Sequence, residues 1–276
     1  MSTVTISASD VNKLRQQTGA GMMDCKKALI EANGDFEAAV DILRKKGQKV
    51  AANRADRAAA EGCVLAKVSA DKKFAVVLSL NCETDFVAKN EGFVAMAQGF
   101  LDIAVEKKIK SNEDLQKESY NGLAISEKLI EQTGVIGEKL EIGAFECLEG
   151  DFIGSYIHAG NRLATIVAFN KATTDDTGKQ VAMQIAAMSP IAVDEKSVPQ
   201  DVIAREIEIG KELAIQEGKP AEMAEKIAMG RLNKFYKEAT LLNQEFIRDQ
   251  KMTVKQFLAS VDKDLTASAF KRVSLS

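Results

Sequence analysis

From Met1 to Gly47 the apolar positions recur at helical spacing, and from Gly62 they change to short β-branched runs. Val11, Leu14 and Thr18 form the first stripe, behind Ser9 and Asp10, either of which supplies a cap, and Gly19 supplies a stop. Met22, Cys25, Leu29 and Ala32 form a second stripe closed by Asn33-Gly34. Asp35 caps a third helix with Phe36, Val40 and Leu43 on one face, ended by Gly47. The pattern predicts a compact three-helix module over residues 1–47. Residues 48–61, QKVAANRADRAAAE, lack an apolar stripe and read as a solvated helical linker.

Beyond the linker, CVLAKVS and FAVVLSL flank a polar turn at residues 70–73, which is a hairpin signature. A loop, NCETD, leads into a helical stretch from Val87 to Lys107 with Phe93, Met96, Phe100 and Ile103 along one side. The same order returns further on: GSYIHAG, LATIVAF, the loop NKATTDDTGK and the helix QVAMQIAAMS, stopped by Pro190. Residues 123–133 read as a helix between the copies, and IGAFECL as a strand added to the second half. Two copies of one unit predict an α+β fold with a pseudo-symmetric two-half core, residues 62–140 and 141–276. Residues 198–237 carry two apolar helical faces broken at Gly218-Lys219-Pro220, which predicts a protruding antiparallel helical hairpin inserted in the second half. Thr253 with Gln256 is a capping-box pair for a last short helix, and LTASAFKRVSL reads as a closing strand.

Composition narrows the function classes. Lys and Arg number 37 against 40 Asp and Glu, a net charge of −3, and aromatic residues make up 5% with no tryptophan. A protein that grips nucleic acid directly would show a basic stripe interleaved with aromatics, so none is expected as a partner. No apolar run approaches the roughly 18–20 residues of a membrane span. The N-terminal MSTVTISASDVNKL lacks a basic n-region and an apolar h-region, and the expected location is cytoplasmic. Four cysteines (Cys25, Cys63, Cys82 and Cys147) form no CxxC pair and read as reduced, mostly buried thiols.

The inventory of catalytic patterns is thin. Each Gly-Lys pair is followed by Gln, Glu or Pro, so no phosphate loop of the GxxxxGK[ST] type occurs, and GxGxxG is absent. The single histidine, His158, follows Tyr156 on a predicted strand; a general-base role stands against the blander one of a hydrogen-bonded or partner-contacting residue. Glu83 and Asp85 in the NCETD loop offer two carboxylates, too few oxygen ligands for a calcium site, and no metal or cofactor is expected. Met22 and Met23 stand beside Gly19 and Gly21, either plugging a small core or offering a docking surface. Phe86, where a strand exits into a helix behind Thr84 and Asp85, is either a packing staple or an outward anchor.

TGAGMMDCKKALIEANGD (residues 18–35) and TDFVAKNEGF (residues 84–93) resemble the two signature segments of the bacterial elongation factor Ts family, and the likeness continues through GSYIHAG and GKPAEMAEKIAMGRLNKF. The resemblance covers nearly the whole chain in order. It implies a guanine-nucleotide exchange factor for elongation factor Tu, binding its GDP-bound and nucleotide-free states, and not an enzyme. It also implies that the first three helices are ubiquitin-associated-like. By the same resemblance Phe86 wedges between helices of the partner's nucleotide domain, with Thr84, Asp85 and Val87 in the same segment, and disturbs its magnesium and phosphate site. Leu14, Met22 and Met23 are expected to dock on a nearby helix, and His158 to face the partner's other domains. The hairpin can serve a homodimer, although Glu206 and Glu208 flank Ile207 in that face. The alternative to exchange is a module that holds a peptide or ubiquitin-like partner on the first three helices.

Overall fold

The computed structural model describes residues 5–275; Met1–Val4 of the predicted first module and Ser276 lie outside the described residues. The elements in chain order are α1 (Ala8–Thr18), α2 (Met22–Glu31), α3 (Phe36–Arg54), β1 (Glu61–Val68), β2 (Phe74–Cys82), α4 (Asp85–Ala88), α5 (Glu91–Glu106) and α6 (Asn112–Lys117). There follow β3 (Ser119–Tyr120), β4 (Leu123–Ala124), α7 (Ile125–Ile136), β5 (Glu141–Glu149), β6 (Phe152–Ile157), β7 (Leu163–Phe169) and α8 (Asp175–Met188). The chain closes with α9 (Gln200–Gln216), α10 (Ala221–Ala239), β8 (Glu245–Phe246), β9 (Asp249–Thr253), α11 (Val254–Val261) and β10 (Ala267–Ser274). It divides into two compact units: residues through Leu65, Leu78–Phe145 and the residues from Ser274 in one, Ala66–Val77 and Glu146–Val273 in the other.

The first three helices form where the apolar stripes put them, with two differences at their ends. Ser7, not Ser9 or Asp10, caps α1: its Oγ accepts from the Asp10 amide at 3.1 Å and the Asp10 carboxylate accepts from the Ser7 amide, a reciprocal pair that uses Asp10 as the third helical residue. Gly19 then closes α1 at φ 71°, and Asp35 caps α3 through the Ala38 amide. Val11, Leu14, Cys25, Ala28, Leu29 and Ala39 make the core of the three helices. The second difference is Gly47, which does not end α3. It is buried against α7, and the helix runs on to Arg54, so α3 takes in residues 48–54 of the stretch read as a helical linker.

The two three-stranded sheets have the orders β1-β2-β5 and β6-β7-β10, and β3-β4 and β8-β9 form two-stranded ones. The strand IGAFECL therefore pairs with β2 and completes the first sheet, a correction to the expectation that it adds to the second half. This correction makes the two copies alike. In each, a hairpin is followed by a helix, and a later strand returns to lie beside the hairpin's second strand. β6 and β7 pair antiparallel from Phe152↔Phe169 to Ile157↔Ala164, and α8 presses so closely on them that a Cβ at Gly154 would lie 2.5 Å from the Gly178 backbone. Phe169, Val181, Ile185, Val254 and Leu258 fill the core of the second unit. α9 and α10 pack as a helical pair, and the Thr253–Gln256 capping box starts α11 as expected.

Candidate partner-binding site

β2 delivers the chain to the segment of interest. All but Asn81 of its residues are buried, and at its last residue the Cys82 thiol donates to the Thr84 carbonyl at 3.1 Å. The stretch expected as one helix from Val87 is broken: α4 makes a single turn, and Asn90 starts α5 afresh by accepting from the Gly92 and Phe93 amides. Phe93, Met96 and Phe100 of α5 are buried, so the core is filled without Phe86. Phe86 is 84% exposed, which excludes the packing staple: the ring faces solvent.

Charged groups brace this turn from behind. Thr84 precedes α4 but makes no side-chain cap; its hydroxyl donates to Glu138 Oε1 at 2.6 Å, and its amide and that of Glu83 donate to Glu138 Oε2 at 3.0 and 3.1 Å. Glu83 in turn accepts from the Lys139 amide at 2.7 Å and from Arg54 Nη1 at 2.8 and 3.0 Å. The Lys139 amide and the Arg54 guanidinium hold the Glu83 carboxyl below its ordinary value. With its oxygens engaged in this way Glu83 is a poor metal ligand, and among the described residues no three His, Cys, Asp or Glu side chains cluster to hold an ion. Asp85 pairs with Lys89 at 2.6 Å on the exposed side of α4, and Lys89 keeps its carboxyl low.

Beside Phe86 lies an open groove of about 430 Å³ lined by Val87, Phe93 and Met96, by Val135 and Ile136 of α7, and by Gly19. The two signature segments, far apart in sequence, therefore meet at one surface. Met22 and Met23, three and four residues past Gly19, are 52% and 63% exposed, which excludes them as plugs of the small core. Leu14 is a correction. It is fully buried between the helices and presents no surface to a partner; its side chain instead closes the core that the methionines leave alone.

His158 belongs to the other unit, in the turn from β6 to β7, exposed, with its Nδ1 3.0 Å from the Tyr156 hydroxyl. A ring nitrogen committed to a tyrosine, with no serine or cysteine nucleophile bonded to it among the described residues, favours the hydrogen-bonded role over the general base. Cys25, Cys63 and Cys82 are buried, Cys147 is half-buried, and none is in a disulfide. Burial pushes the Cys63 thiol up to about 12 and the Cys82 thiol up to about 11, so neither is a nucleophile at neutral pH. Sequence reasoning missed Arg54, Glu138 and Lys139. Charged residues at a helix end or just past a glycine stop read as solvated positions, and nothing in the pattern joins them to Glu83.

Among the described residues no helix is long and apolar enough to cross a membrane. A family model described as elongation factor TS matches residues 83–276. The chain is 54% identical over 273 residues to elongation factor Ts of Flavobacterium psychrophilum, covering 98% of this chain and 99% of that protein. It is 52% identical over 272 residues to elongation factor Ts of Christiangramia forsetii, covering 98% of each. Against elongation factor Ts of Porphyromonas gingivalis the identity is 49% over 275 residues, 99% of both chains. With both signature segments assembled on one surface and likeness over almost its full length, this chain belongs to the elongation factor Ts family.

Proposed function

We propose that Phe86 is the element through which this chain drives GDP out of elongation factor Tu during translation elongation. Exchange on elongation factor Tu is the function of the family, and it requires no bond-making chemistry from the factor. The observation that carries the residue assignment is the 84% exposure of Phe86 at the edge of an apolar groove. A solvated phenyl ring contributes nothing to this fold. Buried in a partner it contributes roughly 1.5–3 kcal/mol, and aromatic anchors dominate many interfaces.

In this reading α4 inserts Phe86 between helices of the partner's nucleotide domain, with Thr84, Asp85 and Val87 carrying it. Met22 and Met23 dock alongside, two flexible side chains suited to an adaptable contact. His158 meets the partner's other domains. Exposed Ile209, Leu213, Met223 and Met229 on α9 and α10 supply an apolar face for self-association through the hairpin.

The energetics follow from linkage. If the factor weakens GDP binding by some ratio, GDP weakens binding of the factor by the same ratio, so incoming nucleotide displaces it and the cycle is reversible. A ten-thousand-fold shift needs about 5.5 kcal/mol of differential interaction. One phenyl ring falls short of that, and loss of magnesium and phosphate contacts in the partner supplies the remainder. The test is release of a fluorescent GDP analogue from elongation factor Tu with excess unlabelled nucleotide and magnesium. Acceleration at catalytic concentrations of this chain is the expected result; none, with the protein shown to be folded, overturns the assignment.

A further inference from the structure

Two carboxylates clasp the loop before α4 reciprocally. Glu138 accepts from the Glu83 amide, the Thr84 amide and the Thr84 hydroxyl at 3.1, 3.0 and 2.6 Å, while Glu83 accepts from the Lys139 amide at 2.7 Å. Each loop thus uses the acid of the other to satisfy its own backbone. Glu83 is further tied to Arg54 at the end of α3. Phe86, two residues beyond Thr84, has no packing of its own to hold it. A helix of four residues, lacking a side-chain cap, is too short to persist by itself, because the first turn fixes several residues for very few hydrogen bonds. The direction in which α4 leaves β2 must therefore be set from outside, and the Glu138 carboxylate supplies the only side chain bonded to both amides at that point among the described residues.

We infer that Glu138 is a positioning residue for nucleotide exchange: it never meets the nucleotide, and it presents Phe86 in a fixed orientation to the partner. The inference rests on the reading of Phe86 as the wedge. Its physical content is preorganisation. A ring already aimed at its pocket does not spend binding free energy on ordering the turn that carries it. Three hydrogen bonds to an ionised carboxylate are enough to hold the turn, since charge-assisted bonds are about twice as strong as neutral ones.

A double-mutant cycle tests this on the full chain, read as the rate of GDP release from elongation factor Tu. Glu138→Ala, which removes all three hydrogen bonds to the turn, is expected to lower the rate about tenfold or more. Glu138→Gln, which keeps one acceptor oxygen, should recover part of it. In the background of Phe86→Ala, the Glu138 substitution should cost nothing further, because there is no longer a ring to position. An undiminished loss in that background overturns the inference and makes Glu138 merely structural. A wild-type rate for Glu138→Ala beside a defective Phe86→Ala overturns it while leaving the wedge intact. A wild-type rate for Phe86→Ala removes the wedge, and the positioning role with it. Should thermal melts show Glu138→Ala to be unfolded, Thr84→Val, which removes only the 2.6 Å bond, carries the same cycle with the same three readings.

Discussion

A methyl group built on Gly134 of α7 would lie 2.5 Å from the Gly47 Cα of α3, whereas one built on Gly47 meets its nearest atom, the Ile130 carbonyl oxygen, at 3.4 Å. The crossing is therefore tight in one direction only. Gly134→Ala must push the helices apart and should destabilise the protein by about 1–3 kcal/mol in urea unfolding. Gly47→Ala fits ordinary contact and removes a helix-interior glycine, worth up to about 1 kcal/mol of added stability. Equal effects from the two substitutions would contradict this geometry. Because Gly19 and Val135 line the same groove, Gly134→Ala should also slow GDP release from the partner.

Phe86→Ala separates function from folding. An 84% exposed ring leaves stability within about 0.5 kcal/mol when truncated, as at other surface sites. GDP release should fall at least about tenfold, the range of an interfacial hot spot. A melt that drops by several degrees, or an unaltered exchange rate, would each count against the outward anchor.

Leu14 and the methionine pair should behave oppositely. Leu14→Ala opens a cavity in the small core and is expected to cost about 2–5 kcal/mol, enough to unfold the three helices. Met22→Gln combined with Met23→Gln changes stability little, by about 0.5 kcal/mol or less at each exposed site, and weakens binding of elongation factor Tu in a titration. Strong unfolding by the methionine pair would return them to the core.

The Glu83 carboxyl titrates below its ordinary value of 4.5 because the Lys139 amide and Arg54 favour its charged form. A lowered folded-state pKa means that the unfolded chain binds the proton more readily, so this stabilisation is complete above the ordinary value and fades as pH falls below it. In acid titrations followed by circular dichroism, Glu83→Gln should lose stability at neutral pH and show a shallower further decline below about pH 4.5. The slope will not vanish, since Asp10, Asp114, Asp194 and Asp262 are also held low by their hydrogen-bond partners. A decline as steep as in the unsubstituted chain would show that the clasp does not couple to folding.

The longer helices and strands were legible because their causes are local, whereas the short α6, β3, β4, β8 and β9 carry no pattern that predicts them. The stripe Val11–Leu14–Thr18, the cap at Asp35, the Thr253–Gln256 box and the β-branched run LATIVAF depend on residues a few positions apart. Where local signals competed, the reading slipped. Gly47 has the form of a stop, yet its lack of a side chain serves the approach of α7, a neighbour more than eighty residues on. IGAFECL reads as a strand, but its pairing with β2 is a matter of which edge is available, and no period in the sequence records that.

For the site, the sequence alone determined which segments matter: the resemblance of TGAGMM and TDFVAKN to a family rests on residue order, and residue order is complete in the chain. It also determined that Phe86 would stand where a strand turns into a helix. Only the tertiary structure decided that the ring faces outward, that Leu14 is core while Met22 and Met23 are surface, and that Glu138 braces Thr84 from 54 positions away. The reason is physical. Burial is set by what else fills the volume around a side chain, and a hydrogen bond between distant residues forms only once packing has brought their loops together, so neither quantity is a property of a residue and its sequence neighbours.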